Sequence, residues 1–228
     1  MQNDTTYSHI ISLGRNCLPR VILTHSGYKP RKVQGELTLP FDLSIHSYEN
    51  VCSLIKNDFK FYTDANFIEI KEEKIVHTYY KGVEFPHESG TKYIEFFSKN
   101  NFEELVKKFQ KRVENFYAYI ADNDILFVCN FSKYPKELAQ VIKTKFPELR
   151  FKIVCLNYIP NLDLPSQRLI NIMLPNGLDT NPLIDYYVLI PPEKNFKWNN
   201  ARLKETLLGK RFYGQVDNIF KRYILKEQ

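Results

Sequence analysis

The sequence predicts an α/β fold: a single three-layer, Rossmann-like domain built on a mostly parallel sheet. Two observations carry that expectation. Short runs that are apolar almost throughout, among them Ile125 to Cys129 and Phe151 to Leu156, lack the polar–apolar alternation of a half-exposed strand and so read as strands covered on both faces. Between such runs lie stretches with apolar residues at helical spacing, and strands that alternate with helices belong to parallel sheets with helices on their faces.

Residues 9–14 read as the first strand, through His9-Ile10-Ile11-Ser12-Leu13. A helix follows to about Ser26, with Pro19 in its first turn, where a missing N–H costs nothing, and Gly27 as its stop. Residues 28–44 form a loop containing Pro30, Gly35 and Pro40-Phe41-Asp42, and residues 47–59 are helical, with Val51, Leu54, Ile55 and Phe59 on one side. Residues 60–98 hold short strands or irregular structure, broken at Gly82, Pro86 and Gly90. The strongest helical signal runs from Asn101 to Ala121, where Phe102, Leu105, Val106, Phe109, Val113, Phe116, Tyr117 and Ile120 form one stripe. Asp124 to Asn130, Pro135 to Phe146 and Phe151 to Tyr158 then make a strand–helix–strand unit, and Arg168 to Leu174 offers a fourth strand. The segment holding Pro175, Pro182, Pro191 and Pro192 reads as loops able to fold over the sheet edge as a lid. A helix near 200–208, stopped at Gly209, and an amphipathic helix near 212–226 pack on the domain at its C-terminal end, so that 1–228 form one unit.

Composition narrows the function classes. With 228 residues, 43% of them hydrophobic, the chain can bury a sizeable core, and 17 Phe and 15 Tyr against one Trp mean that rings supply much of its volume. The net charge of +6 suggests attraction to polyanions, but 32 basic and 26 acidic residues are interspersed, and no nucleic-acid-binding motif appears, so a nucleic-acid partner is not expected. One local basic excess, Lys204, Lys210, Arg211, Lys221, Arg222 and Lys226, reads as a solvated helix face. No secretory h-region and no apolar run of about 18 residues is present, which suggests a soluble, cytoplasmic protein without a membrane span. Cys17, Cys52, Cys129 and Cys155 are widely separated and lack CxxC spacing, as expected of reduced thiols rather than disulfides or a zinc site; no metal and no cofactor is expected. No serine-hydrolase elbow, Walker loop or dinucleotide fingerprint occurs.

The chemistry points to Cys17. Ile10 to Cys17 carries an apolar run through Gly14 to a cysteine that opens a helix, at the carboxyl end of a strand, where open α/β sheets bind ligands. There the helix dipole and unpaired N–H groups would lower the thiol pKa and could hold an oxyanion. The competing reading is a packing cysteine, since Cys is among the most buried residue types. A thiol nucleophile needs a base and an orienting group. Of five histidines, His87 in Phe85-Pro86-His87-Glu88 is the leading base, its alternative being an exposed loop residue. Asp42 is the orienting carboxylate, its alternative a cap for the following turn; His46, four residues on, could pair with it instead. Gly14, Arg15, Asn16, Phe41 and Glu88 line the expected substrate site. Cys129 and Cys155 sit inside apolar strands, where burial silences a thiol.

Ser12-Leu13-Gly14-x-x-Cys17, Pro40-Phe41-Asp42 and the Phe85-x-His87 step, in this order and spacing, resemble a bacterial family known as putative papain-like cysteine peptidases. Looser matches extend through Lys111-Arg112, Phe127-Val128 and Trp198. Leu43 stands where the family usually has Trp, and Glu88 where it usually has Asp. The resemblance implies Cys17 as nucleophile and His87 as its partner. It also implies an alternative fold, α+β and papain-like, with the histidine on an antiparallel sheet, which conflicts with a strand leading into Cys17. The resemblance also suggests a context in sugar-polymer biosynthesis.

Three functions remain open at this level. A cysteine-dependent hydrolase or acyl-transferring enzyme would act on a small-molecule, peptide or glycan-linked substrate. A transferase would bind a nucleotide-sugar or other anionic donor through Arg15, Asn16 and the helix N-terminus. A non-enzymatic binding module would use the basic C-terminal helix. The oligomeric state is open.

Overall fold

The structure is a computed structural model that describes residues 6–158, 181–193, 196, 198 and 204–225. Its centre is a four-stranded parallel sheet formed by β2 (His9–Ser12), β6 (Asp124–Cys129), β7 (Arg150–Tyr158) and β8 (Ile184–Leu189), in that spatial order. Register is continuous across it, with Ile11 beside Phe127 and Phe127 beside Ile153. Among the described strands the order never reverses, so no switch-point crevice opens between neighbours. A short parallel pair, β1 (Thr6–Tyr7) with β9 (Ile224–Leu225), ties the two ends of the chain together.

Alternate residues of the central strands enter two separate cores, as the pleat requires. Ile11, Leu13, Ile125, Phe127, Cys129, Ile153 and Cys155 meet α2 (Tyr48–Lys56), α4 (Glu103–Ile120) and α5 (Lys136–Lys145) on one face. Ile10, Leu126, Val128, Val154 and Leu156 meet α1 (Leu18–His25) and α6 (Leu207–Phe220) on the other. The expected layering of helix, sheet and helix therefore holds. The helical stripe on α4 buries Leu105, Phe109, Phe116 and Ile120. Helix α1 ends as the sequence indicates: Gly27 adopts φ +82°, and the following Tyr28 N–H returns to the Leu23 carbonyl at 3.0 Å.

Residues 60–98 resolve into an antiparallel meander, β3 (Ile68–Lys71), β4 (Lys74–His77) and β5 (Val83–Glu84), followed by α3 (Thr91–Lys99). The meander packs Ile68, Ile75 and Val83 onto the first core. Its β3–β4 turn places Glu72 and Glu73 at φ +51° and +59°, a left-handed pair that usually needs Asn or Gly.

Two expectations change, and one lies outside the described residues. The strand expected at Arg168–Leu174 lies outside the described residues. The strand seen beside β7 is β8, in a segment the prolines had suggested was loop; Pro182 and Pro191 flank it rather than interrupt it, and Tyr186, Tyr187 and Val188 suit a pleated surface. The expected break at Gly209 is corrected: α6, whose N-cap Thr206 accepts the Gly209 N–H, begins at Leu207 and runs through Gly209 and Gly214. Each mid-helix glycine costs about 1 kcal/mol, which the burial of Phe212, Val216, Ile219 and Phe220 outweighs. Residues 199–203 of the earlier expected helix are not among those described.

Candidate active site at the thiol loop

Cys17 is the N-cap residue of α1, at the end of a loop that leaves the carboxyl end of β2. It is half-buried, whereas Cys52, Cys129 and Cys155 are buried, so it is the one cysteine with a surface a reagent can reach. The loop is held from β6. The Arg15 N–H donates to Asn130 Oδ1 at 2.6 Å, Asn130 Nδ2 donates to Asn16 Oδ1 at 2.9 Å, and the Leu18 N–H donates to the same Asn16 oxygen at 3.0 Å. Gly14 is required by close approach rather than by its dihedral angles. A Cβ there would lie 2.6 Å from the Asn16 carbonyl oxygen and 2.7 Å from both Asn130 Oδ1 and Pro19 Cδ.

The electrostatics of Cys17 correct the expectation of an acidified thiol. Burial pushes its pKa up, and its own backbone N–H pulls it down by less. The helix end adds no bond to the sulfur: Cys17 makes no side-chain cap hydrogen bond, Leu18 N–H is spent on Asn16, and Pro19 has no N–H to offer. Two of the buried thiols are raised as well: burial drives Cys52 up to about 12, and burial likewise raises Cys155 on β7.

The segment 44–46 joins this loop to the meander. Arg15 carbonyl accepts the His46 N–H at 2.9 Å, while Ile45 and Glu84 exchange backbone bonds of 2.8 and 3.1 Å. The 84–88 turn is thus brought to the same side of the molecule as the Cys17 loop. Within that turn the side chains diverge: Phe85 and Glu88 are buried, and Pro86 and His87 are exposed. His87 makes no hydrogen bond, ion pair or ring contact with the described residues. Glu88, expected at the substrate, is 1% exposed and is held by Arg112 at 2.6 Å and Lys108 at 2.9 Å.

Asp42 is fully buried. Its Oδ2 accepts the Leu39 N–H at 2.9 Å, closing the turn that seats Phe41 in the core, and lies 3.7 Å from Arg20 Nη1. Arg20 sits one turn along α1 from Cys17 and also reaches Glu36 at 3.3 Å; the buried Lys29 meets Glu36 at 2.7 Å and donates to the Ile10 carbonyl at 2.7 Å. Asp42 is therefore linked to the thiol helix through Arg20, and no hydrogen bond joins Cys17, His87 and Asp42 to one another in this conformation. The local Asp42–His46 pairing is absent too. Both ring nitrogens of His46 are buried without a hydrogen-bond partner among the described residues, and burial lowers that imidazole to about 3. His77 is structural: its ring bonds the Phe61 carbonyl and accepts the Tyr80 N–H.

A family model described as putative papain-like cysteine peptidase (DUF1796) matches residues 8–161, which span β2, the thiol loop, the meander and β7. The chain belongs to that family. No curated protein and no solved structure matches it. The matched region holds Cys17, Asp42 and His87, while α6, which closes the second core, lies beyond it. Among the described residues no group of three or more His, Cys, Asp or Glu side chains could hold a metal ion, and no helix is long and apolar enough to cross a membrane.

The residues that sequence reasoning passed over are Asn130, Arg20 and Arg112. Asn130 ends an apolar strand as a lone polar residue, which was the available signal. The roles of Arg20 and Arg112 depend on partners far away in the chain.

Proposed function

We propose that this protein is a cysteine-dependent hydrolase or acyl-transferring enzyme in which Cys17 is the nucleophile. The observation that carries this reading is the position of Cys17: a half-buried thiol at a strand-to-helix turn, held by Asn130, in a chain whose other cysteines are buried. The thiol adds to a carbonyl carbon, and its proton passes to an imidazole. His87 is the proposed acceptor, since its ring is exposed and uncommitted, whereas the buried His46 is neutral above about pH 3 and a weak base. Because burial keeps Cys17 protonated at rest, the proton moves during attack rather than in a standing ion pair. Asp42 acts on the α1 side through Arg20, with Gly14, Arg15, Asn16 and Phe41 shaping the loop and Glu88 supporting the His87 turn from below.

The substrate class that fits the family description is a peptide, amide or thioester, including a small-molecule or glycan-linked acyl group, handled in the cytoplasm by a protein folded as one domain. The anionic-donor transferase gains nothing from the loop, whose Arg15 and Leu18 N–H groups are already occupied. The test uses p-nitrophenyl acetate and a panel of peptide coumarylamides with wild type, Cys17→Ser, Cys52→Ser and His87→Ala. Turnover that is lost in Cys17→Ser, kept in Cys52→Ser and reduced in His87→Ala, with an acyl adduct on Cys17 by mass spectrometry, is expected. Turnover unchanged in Cys17→Ser overturns the reading.

A further inference from the structure

Asn130 stands at the carboxyl end of β6, on the strand hydrogen-bonded to β2, and its side chain reaches across to the loop that carries Cys17. The orientation of its amide is dictated by its neighbours. Arg15 N–H can only donate, so it must face Oδ1; Nδ2 must then face Asn16, whose side-chain oxygen also receives Leu18 N–H. One side chain thereby satisfies Arg15 directly and Leu18 through Asn16. Pro19 has no N–H, and Asn16 N–H meets no acceptor among the described residues. The atoms are so tightly placed that a Cβ on Gly14 would fall 2.7 Å from Asn130 Oδ1.

We propose that Asn130 is a positioning residue of the active site. It sorts the loop donors, consuming those of Arg15 and Leu18 and leaving those of Asn16 and Cys17 for the substrate oxygen. This rests on the reading of Cys17 as nucleophile. When the sulfur bonds to the carbonyl carbon, the C=O π pair moves to oxygen, and that oxyanion requires a donor fixed beforehand. Asn130 supplies the fixing from the end of β6, since it holds the Arg15 backbone directly and orients the Asn16 side chain that takes the Leu18 N–H. An Asp in its place would keep an acceptor for Arg15 but turn a second acceptor toward Asn16 Oδ1.

The test compares wild type, Asn130→Ala and Asn130→Asp with Ile142→Val, a buried change on α5 that lowers stability without touching the loop. Two readouts are taken: kcat and KM for p-nitrophenyl acetate, and the pH profile of Cys17 alkylation by iodoacetamide, followed site by site with mass spectrometry. Asn130→Ala is expected to reduce kcat about 10- to 100-fold with KM within about twofold, because an oxyanion donor acts in the transition state. The alkylation midpoint of Cys17 is expected to move in both Asn130 variants and to stay in place in Ile142→Val. A kcat and an alkylation profile in Asn130→Ala that match those of Ile142→Val overturn the proposal. If wild type fails to turn over the ester, or Cys17→Ser still does so, the hydrolase reading fails instead, and the alkylation profile alone decides whether Asn130 controls the loop.

Discussion

Replacing His46 by Phe should make this protein less sensitive to acid, and the size of the effect follows from the surroundings of the ring. His46 is fully buried, packed against Phe41 with ring centroids 5.1 Å apart and against Tyr62 at 6.0 Å, and neither ring nitrogen has a hydrogen-bond partner among the described residues. Burial, with a smaller contribution from His77, lowers its pKa from 6.5 to about 3. The folded protein therefore keeps the ring neutral down to about pH 3, while the unfolded chain takes up a proton below 6.5. Between those limits the unfolded state binds more protons, so this contribution is complete above pH 6.5 and is lost as the pH falls. At about 1.4 kcal/mol per pH unit, the loss is about 3 kcal/mol by pH 4.5 and about 4 kcal/mol by pH 3, where the folded ring begins to take up its own proton. His46→Phe keeps a ring in the same space and removes the proton-binding site. Urea unfolding of both proteins at pH 7, 6, 5 and 4.5 measures the comparison. The variant is expected to gain about 3 kcal/mol on wild type between pH 7 and 4.5, whatever their offset at neutral pH. Stability curves that stay parallel within about 0.5 kcal/mol would refute the argument, because they would mean that the ring is solvated or already hydrogen-bonded.

Four further outcomes are expected. Gly14→Ala forces a Cβ to within 2.6 Å of a backbone oxygen, and a loss of about 1–3 kcal/mol should appear as a lower urea midpoint; an unchanged midpoint would show that the loop can give way. Arg112→Met leaves the buried Glu88 carboxylate with Lys108 as its one remaining cation and should cost up to about 3–5 kcal/mol, whereas the double change Arg112→Met with Glu88→Leu should recover most of it; equal losses would show that packing rather than charge is responsible. Lys29→Met removes the buried cation 2.7 Å from Glu36, leaving Arg20 at 3.3 Å, and should cost up to about 3–5 kcal/mol in urea unfolding at pH 7; a loss under about 1 kcal/mol would count against this pairing. Cys17, raised by burial, should react with iodoacetamide at pH 7.5 more slowly than free glutathione but faster than Cys52, its rate climbing as the pH rises into the alkaline range. A Cys17 faster than glutathione at neutral pH would mean an acidified thiol after all.

Much of the architecture was legible because its signals are local. The runs at Asp124–Cys129 and Arg150–Tyr158 are apolar on both faces, and both proved to be inner strands feeding two cores. The α4 stripe and the Gly27 stop obey spacing rules that need no partner. The meander was legible only as short strands or irregular structure because its tight turn uses Glu72-Glu73 in place of Asn-Gly, and β8 escaped notice because prolines crowd its ends. Helix α6 was divided at Gly209 for a similar reason: a glycine reads as a stop until the burial around it is known.

The sequence by itself determined three of the strands of a parallel sheet, β2, β6 and β7, and that a cysteine opens the helix after the first of them, since pleat, helical period and turn chemistry act over a few residues. Only the tertiary structure decided what that cysteine experiences. Asn130 arrives from a strand far along the chain to take the loop donors, Glu88 turns inward to Arg112 while its neighbour His87 turns to solvent, and burial raises the sulfur that a helix end alone would have acidified. Desolvation and hydrogen-bond competition depend on every atom brought near, and which atoms those are is settled only when the chain has folded.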